Sequence, residues 1–233
     1  MPRVAPPLPE GEEKVHAVGA MFDAIAPRYD LLNRLLTFRL DVRWRRRCVD
    51  SLGLVGGAAV LDIAAGTGDL CRELEHRGLS PIALDLSAGM LANARTEAPL
   101  VQADARFLPL PDASVDGVTC GFALRNLVDL ELCFREMARV LRPGGSLALL
   151  EVSAPTNPIL AFGHRLYFGR VVPFIGGLIS DGSAYRYLPR SVAYLPPTAE
   201  LLAQIERAGF TAADRRALTG GIAQLITARR SSS

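Results

Sequence analysis

Apolar positions recur along the chain in two alternating rhythms, short β-branched runs and helical periods, and their order predicts the architecture. Val60 to Ala64 is an apolar run that breaks into Ala65-Gly66-Thr67-Gly68-Asp69, and Leu70, Cys71 and Leu74 then fall on one helical face. This pattern predicts a buried strand, a tight glycine turn and a helix opening at Thr67 or Gly68. Pro81 to Ser87 is a second strand ending in an acid, and Ser87 caps a helix over Ala88 to Arg95. Leu100 to Ala105 is a third strand with its loop, Ser114 to Phe122 a fourth, and Asp129 to Leu141 an amphipathic helix. The turn Arg142-Pro143-Gly144-Gly145 stops that helix, and Ser146 to Val152 is a fifth strand. Thr198 to Ala208 is helical; Ala212 to Leu218 and Ile222 to Thr227 close the chain as a hairpin through Gly220-Gly221. Strands alternating with helices imply an α/β fold, a doubly wound and mostly parallel seven-stranded sheet.

Two segments stand outside this rhythm. Val15 to Ala26 is weakly amphipathic and stopped by Pro27, and a second helix runs from Tyr29 through Leu40, Trp44 and Val49. Arg39, Arg43, Arg45, Arg46 and Arg47 crowd one end of it, either as a solvated face or as a surface for anionic lipid headgroups. Residues 155–197 are the other exception. Ile159 to Ser180 is almost wholly apolar, yet His164, Arg165, Arg170, Pro173 and Gly176-Gly177 interrupt it too often for a membrane-spanning helix. Its position after the fifth strand makes it an insertion over the catalytic end of the sheet, an extra packing helix or a lid for an apolar substrate. The expected organisation is a disordered tail over residues 1–14 and one domain over 15–233, with N-terminal helices at 15–50 and the lid at 155–197.

Composition narrows the class. With 233 residues, 49% hydrophobic and 21% charged, the chain suits one soluble domain, and a net charge of +2 argues against nucleic acid as a partner. Four cysteines and three histidines are scattered without metal-ligand spacing, so no metal site is expected. Prolines and acids occupy the N-terminus where a signal peptide needs an apolar stretch, which points to the cytoplasm.

The glycine turn carries the candidate chemistry. Asp85 follows it by about 20 residues, the spacing of a ribose-binding carboxylate in a doubly wound fold. A dinucleotide and a phosphate-free nucleoside such as S-adenosylmethionine are the two ligand readings. Asp62 and Asp69 flank the turn, and two acids there repel a pyrophosphate but suit a sulfonium and an ammonium. S-adenosylmethionine is therefore the expected cofactor, with Asp62, Gly66, Thr67, Gly68 and Asp85 around it. Asp104 is placed to accept from the adenine amino group and Ala105 to donate from its backbone.

Five βα units with a final strand pair resemble the Rossmann-like class I S-adenosylmethionine-dependent methyltransferases. Tyr29-Asp30-Leu31-Leu32-Asn33 through Trp44, Phe122-Ala123-Leu124-Arg125-Asn126, Arg139 to Ser153 and Ala184 to Ser191 resemble signatures of the quinone C-methyltransferases of menaquinone and ubiquinone biosynthesis. Departures fall at Leu32, Thr37, Asp41 and Arg142, where the family usually has Met, Ser, often His, and Lys. Gly121 stands where many members have a serine and is left out of the site. The resemblance implies methyl transfer to a ring carbon of a prenylated quinol. Arg125 is then expected to stabilise a phenolate as a planar two-point donor, Asn126 to orient a ring oxygen or water, and Tyr185 to complete the catalytic set. Tyr29, Asp30, Tyr185 and His164 remain open as the base. Naphthoquinol is favoured over benzoquinol, the oligomeric state is open with a homodimer among the options, and Val171 to Ile179 is expected to touch the membrane surface peripherally.

Overall fold

The computed structural model describes residues 11–155, 157–167, 170, 191 and 194–232. Helices α1 (Gly11–Ile25), α2 (Tyr29–Leu36) and α3 (Leu40–Leu52) precede the sheet. Then come β1 (Ala59–Ile63), α4 (Asp69–His76), β2 (Ser80–Asp85), α5 (Ala88–Ala92), β3 (Leu100–Gln102), β4 (Val115–Gly121), α6 (Leu130–Val140) and β5 (Leu141–Val152). Helix α7 (Pro158–Leu166) lies in the insertion, and α8 (Thr198–Arg207), β6 (Phe210–Leu218) and β7 (Ala223–Arg230) finish the chain.

The seven strands lie in the order β3-β2-β1-β4-β5-β7-β6. β1 to β5 pair in parallel, whereas β7 is antiparallel to both β5 and β6. Chain order reverses between β1 and β4, which opens a crevice beyond the carboxyl ends of those strands, the place where open α/β sheets bind ligands. Successive strand residues face opposite sides, so Leu61 and Ile63 pack with Phe134, Met137 and Ile205, while Val60 packs with Leu52, Leu74 and Leu150 on the other face. Both faces of the central strands β1 and β4 are covered, which is why these strands are mostly buried and apolar, whereas β3 and β6 at the edges are largely exposed.

Several expectations change. Helix α1 begins at Gly11, so residues 11–14 are not part of a tail; Lys14 is buried and donates to the carbonyls of Arg125 and Leu127, each at 3.0 Å. The expected single helix from Tyr29 breaks at Phe38 and Arg39, whose φ values of 51° and 61° are left-handed. Thr37 sits at the break, its hydroxyl bonded to the Asn33 carbonyl at 2.7 Å and to Asp41 at 2.6 Å. Strand β5 starts at Leu141 because the Arg142–Gly145 turn stays in the ladder through a register shift opposite Val115 and Gly117. The arginine cluster divides: Arg39, Arg43, Arg46 and Arg47 are exposed, but Arg45 is buried. Tyr185, Tyr187 and residues 171–179 lie outside the described residues.

Candidate active site

The crevice holds a cavity of about 800 Å³ when the open space at its mouth is included. Ile63, Ala64 and Gly66 form its floor, Asp85 one side, Ala103 to Arg106 another and Gly121 to Ala123 a third, with Val15, Val18, Gly19 and Phe22 of α1 as a roof. Two residues on this rim hold left-handed backbones without being glycine, Ala64 (φ 53°) and Phe122 (φ 60°), a strain that concentrates where geometry matters for binding. Helix α1 is fastened here by Asp23, which accepts from the Ser87 hydroxyl and, at 2.9 Å, from the Gly89 N–H.

Asp85 ends β2 with each carboxylate oxygen taking one backbone N–H, Oδ2 from Gly66 and Oδ1 from Ser87, both at 2.8 Å. Each oxygen keeps acceptor capacity for one ribose hydroxyl, and burial pushes its pKa up against those same bonds. Asp104 and Ala105 also line the cavity. Burial pushes the Asp104 carboxyl up, but the hydrogen bonds and charge of Arg106 outweigh it and hold the group below its usual value. Both Asp104 oxygens already accept from Arg106, so an adenine amino group binds there only if Arg106 yields a bond. The Ala105 N–H makes no hydrogen bond within the described residues and is left for a ring nitrogen. Val18, Phe22, Leu86, Met90 and Leu127 supply apolar walls for a flat base, so the residues present fit a phosphate-free nucleoside.

The glycine turn is arranged differently from the sequence reading. Asp62, Gly66 and Thr67 line a smaller adjoining cavity with Arg45 and Asp69. The Asp62 carboxylate points inward, accepting from Thr119 Oγ1 at 2.8 Å and Cys71 Sγ at 3.4 Å. Asp69 is paired with Arg34, Arg45 and Arg72, which cancel the negative field expected to attract a sulfonium. The Thr67 hydroxyl is bonded to Asp30. Gly68 lines neither cavity; it caps α4 with φ 81°, and a Cβ there would stand 2.8 Å from Thr96. Gly121 in contrast lines both cavities.

Arg125 is buried on the short helical turn after β4. Its Nη1 donates to Glu151 and to the Phe122 carbonyl at 2.6 Å, and its Nε donates to Ser191 at 3.1 Å. The backbone N–H of Arg125 also donates to Glu151, at 3.0 Å. Only Nη2 makes no hydrogen bond to a described residue, so the two-point donor of the sequence reading is reduced to one nitrogen. Glu151 was missed from the sequence, although a lone acid in the apolar run from Leu147 to Val152 is the signal of a buried partner. Asn126 lines the nucleoside cavity and not the second one.

That second cavity, about 1370 Å³ with the open space at its mouth, lies on the other side of Phe122. Leu36, Phe38, Trp44, Ile159, Leu160 and Tyr167 give it apolar walls, and Asn33, Asp41, Arg45 and Arg125 are its polar points. Phe122 lines all three cavities, with Trp44 at 6.2 Å between ring centroids and the Arg45 guanidinium 5.5 Å from its ring. A cavity bearing Asp85 and Asp104 and a larger apolar one thus meet at one side chain.

The ubiE/COQ5 methyltransferase family model matches residues 10–230. The chain belongs to this family. It is 44% identical over 220 residues to the ubiquinone/menaquinone biosynthesis C-methyltransferase UbiE of Syntrophotalea carbinolica, covering 91% of this chain and 93% of that one. It is 46% identical over 201 residues to the demethylmenaquinone methyltransferase of Thermus thermophilus, covering 82% and 91%. Among solved structures, the methyltransferase bound to the Haloferax volcanii Trm112 activator shares the fold at TM-score 0.66 and 19% identity, covering 90% of this chain and 97% of that one. Phosphoethanolamine N-methyltransferase 2 of Haemonchus contortus, solved with S-adenosyl-L-methionine, does so at TM-score 0.60 and 17% identity, covering 80% and 52%. Family membership makes the protein a methyltransferase and places the signatures at Tyr29–Trp44 and Phe122–Asn126 on the walls of the cavities just described. Among the described residues no group of three His, Cys, Asp or Glu could hold a metal, and no helix is long and apolar enough to cross a membrane.

Proposed function

We propose that this methyltransferase uses S-adenosyl-L-methionine to C-methylate a prenylated quinol, converting demethylmenaquinol to menaquinol, with the nucleoside in the Asp85 cavity and the quinol in the apolar cavity across Phe122. The observation that carries this reading is the shared Phe122 wall between a carboxylate-bearing cavity and a larger apolar one. Bound with its ribose on Asp85, the cofactor supplies an electrophilic methyl on a sulfonium.

The protein's own contribution is to ready the ring carbon. Carbon attacks well only from an electron-rich ring, and ionising a phenol of pKa about 10 at neutral pH costs about 4 kcal/mol. Arg125, a permanently charged residue lining the acceptor cavity, offsets part of this cost, and Glu151 and Ser191 fix its orientation. The apolar walls beside Arg125 lower the local dielectric and strengthen that interaction. Much of the remaining acceleration comes from alignment across Phe122. Tyr185, the third member of the catalytic set read from the sequence, lies outside the described residues.

Trp44, the only tryptophan, lines the acceptor cavity and is a built-in reporter. A short-tail naphthoquinone should quench its fluorescence saturably, and Gly163→Phe, which places a ring in open space on the cavity wall, should abolish quenching while leaving calorimetric affinity for S-adenosylhomocysteine intact. Undiminished quenching in that variant would sink the acceptor assignment.

The same reading brings the chain to a membrane surface, since a long prenyl tail holds the quinol in the bilayer. Phe38 (75% exposed) and Ile159 (81% exposed) line the cavity, and the same N-terminal helices and α7 also expose Leu31, Leu35, Phe162, Leu166, Arg39 and Arg43. Apolar side chains beside arginines suit peripheral contact with an anionic bilayer. Flotation with anionic vesicles at low salt should recover the protein, and Phe38→Asp with Ile159→Asp should release it.

A further inference from the structure

Methyl addition leaves the acceptor carbon carrying both methyl and hydrogen, and aromaticity returns only when that C–H bond breaks, its electron pair re-entering the ring and its proton going to a base. Of the bases considered from sequence, the side chains of Tyr29 and His164 lie outside those described. Asp30 lines neither main cavity and is engaged by Thr67 and Arg72 at the glycine turn. Tyr185 lies outside the described residues.

We infer that Asp41 is this base, the group that takes the ring proton after methyl addition; the inference rests on the quinol occupying the apolar cavity. Asp41 is the only carboxylate among the described residues that line that cavity. It is 1% exposed, so bulk water does not compete for it. Its Oδ1 accepts from Thr37 at 2.6 Å and its Oδ2 from Arg45, which leaves each oxygen a lone pair. Arg45 lines both the acceptor cavity and the small cavity beside the glycine turn, so the Asp41–Arg45 pair sits where acceptor and cofactor sites approach each other.

The chemistry suits an ion-paired carboxylate. A ring carbon bearing both methyl and hydrogen is strongly acidic, so a weak base accepts its proton, whereas a phenol would need a stronger one. When Asp41 takes the proton, Arg45 keeps its second partner, Asp69, at 3.1 Å, so no buried cation is orphaned. The carboxylic acid then returns the proton to water as product leaves.

The test uses short-tail demethylnaphthoquinol carrying deuterium at the acceptor carbon. Turnover by the unaltered protein, together with Trp44 quenching, establishes the acceptor site independently, and there proton loss should be fast and show no isotope effect. In Asp41→Asn, kcat should fall by about 100-fold, the size of a general-base contribution, and a primary isotope effect should emerge, with S-adenosylhomocysteine affinity and Trp44 quenching unchanged. Asp41→Glu keeps charge and ion pair but moves the base by one methylene; it should also lower kcat and expose the isotope effect while melting within a few degrees of the parent. Lost turnover without an isotope effect, full turnover in either variant, or loss of fold in both would assign Asp41 to holding Arg45 alone and overturn the inference.

Discussion

Asp62 offers a measurement that reads the buried turn directly. It is 1% exposed, with Thr119 and Cys71 as donors. Burial pushes its carboxyl from 3.8 to about 7 against those hydrogen bonds and the nearby charge of Arg45. A raised carboxyl pKa means the folded chain holds the proton more tightly than the unfolded one. Stability from this group is therefore highest below the unfolded value of 3.8, falls as pH rises toward about 7, and is level beyond it. The full shift amounts to about 4 kcal/mol at 1.36 kcal/mol per unit, of which about 2.5 kcal/mol is lost between about pH 5 and pH 8. Asp62→Asn keeps an oxygen for Thr119 but does not titrate. Urea unfolding of both proteins at the two pH values should show the difference, variant minus parent, growing in the variant's favour by about 2.5 kcal/mol, all other titrating groups being common to both. A difference that stays constant with pH would refute the argument that an inward-facing, desolvated Asp62 titrates near neutrality.

Asp85→Ala removes the acceptor for both ribose hydroxyls, at about 1.5–3 kcal/mol for each charge-assisted bond, and calorimetry should find S-adenosylmethionine binding weakened by more than about 100-fold. Glu151→Gln leaves Arg125 as a buried cation without its counter-charge and should lower unfolding free energy by about 3–5 kcal/mol; a loss below about 1 kcal/mol would show the pair is not desolvated. Gly121→Ser should be accommodated, because a Cβ there meets only Leu70 at 3.9 Å, and the melting temperature should barely move. Lys14→Met breaks the bonds that tie α1 to the carbonyls beside Asn126, so amide exchange across Gly11–Ile25 should accelerate and cofactor dissociation should quicken.

The element order and its chemistry were legible in the sequence because both depend on local pattern. Strand β1 and its turn, β2 ending at Asp85, the Ser87 cap, which accepts from Met90 at 3.0 Å, and the hairpin of β6 and β7 all follow from side-chain period and backbone-specific residues acting within a few positions. The signatures at Tyr29–Trp44 and Phe122–Asn126 named the family for the same reason. What the sequence could not state was which charges face each other. Asp69 reads as an acid beside a cofactor, yet Arg45, 24 positions earlier in the chain, and Arg34 neutralise it, a pairing that exists only once α2 and α3 fold over α4. Arg45 read as one of five surface arginines; the turn at Phe38–Arg39 sets the pitch of α3 and buries it. Glu151 and Arg125 are 26 residues apart, and the parallel register of β4 on β5 brings them together. Lys14 looked like tail because its partners, backbone carbonyls more than a hundred residues away, leave no trace in local pattern. Periodicity fixes what a segment is, since its energy is local; burial and pairing of charge depend on desolvation, which only the packed chain imposes.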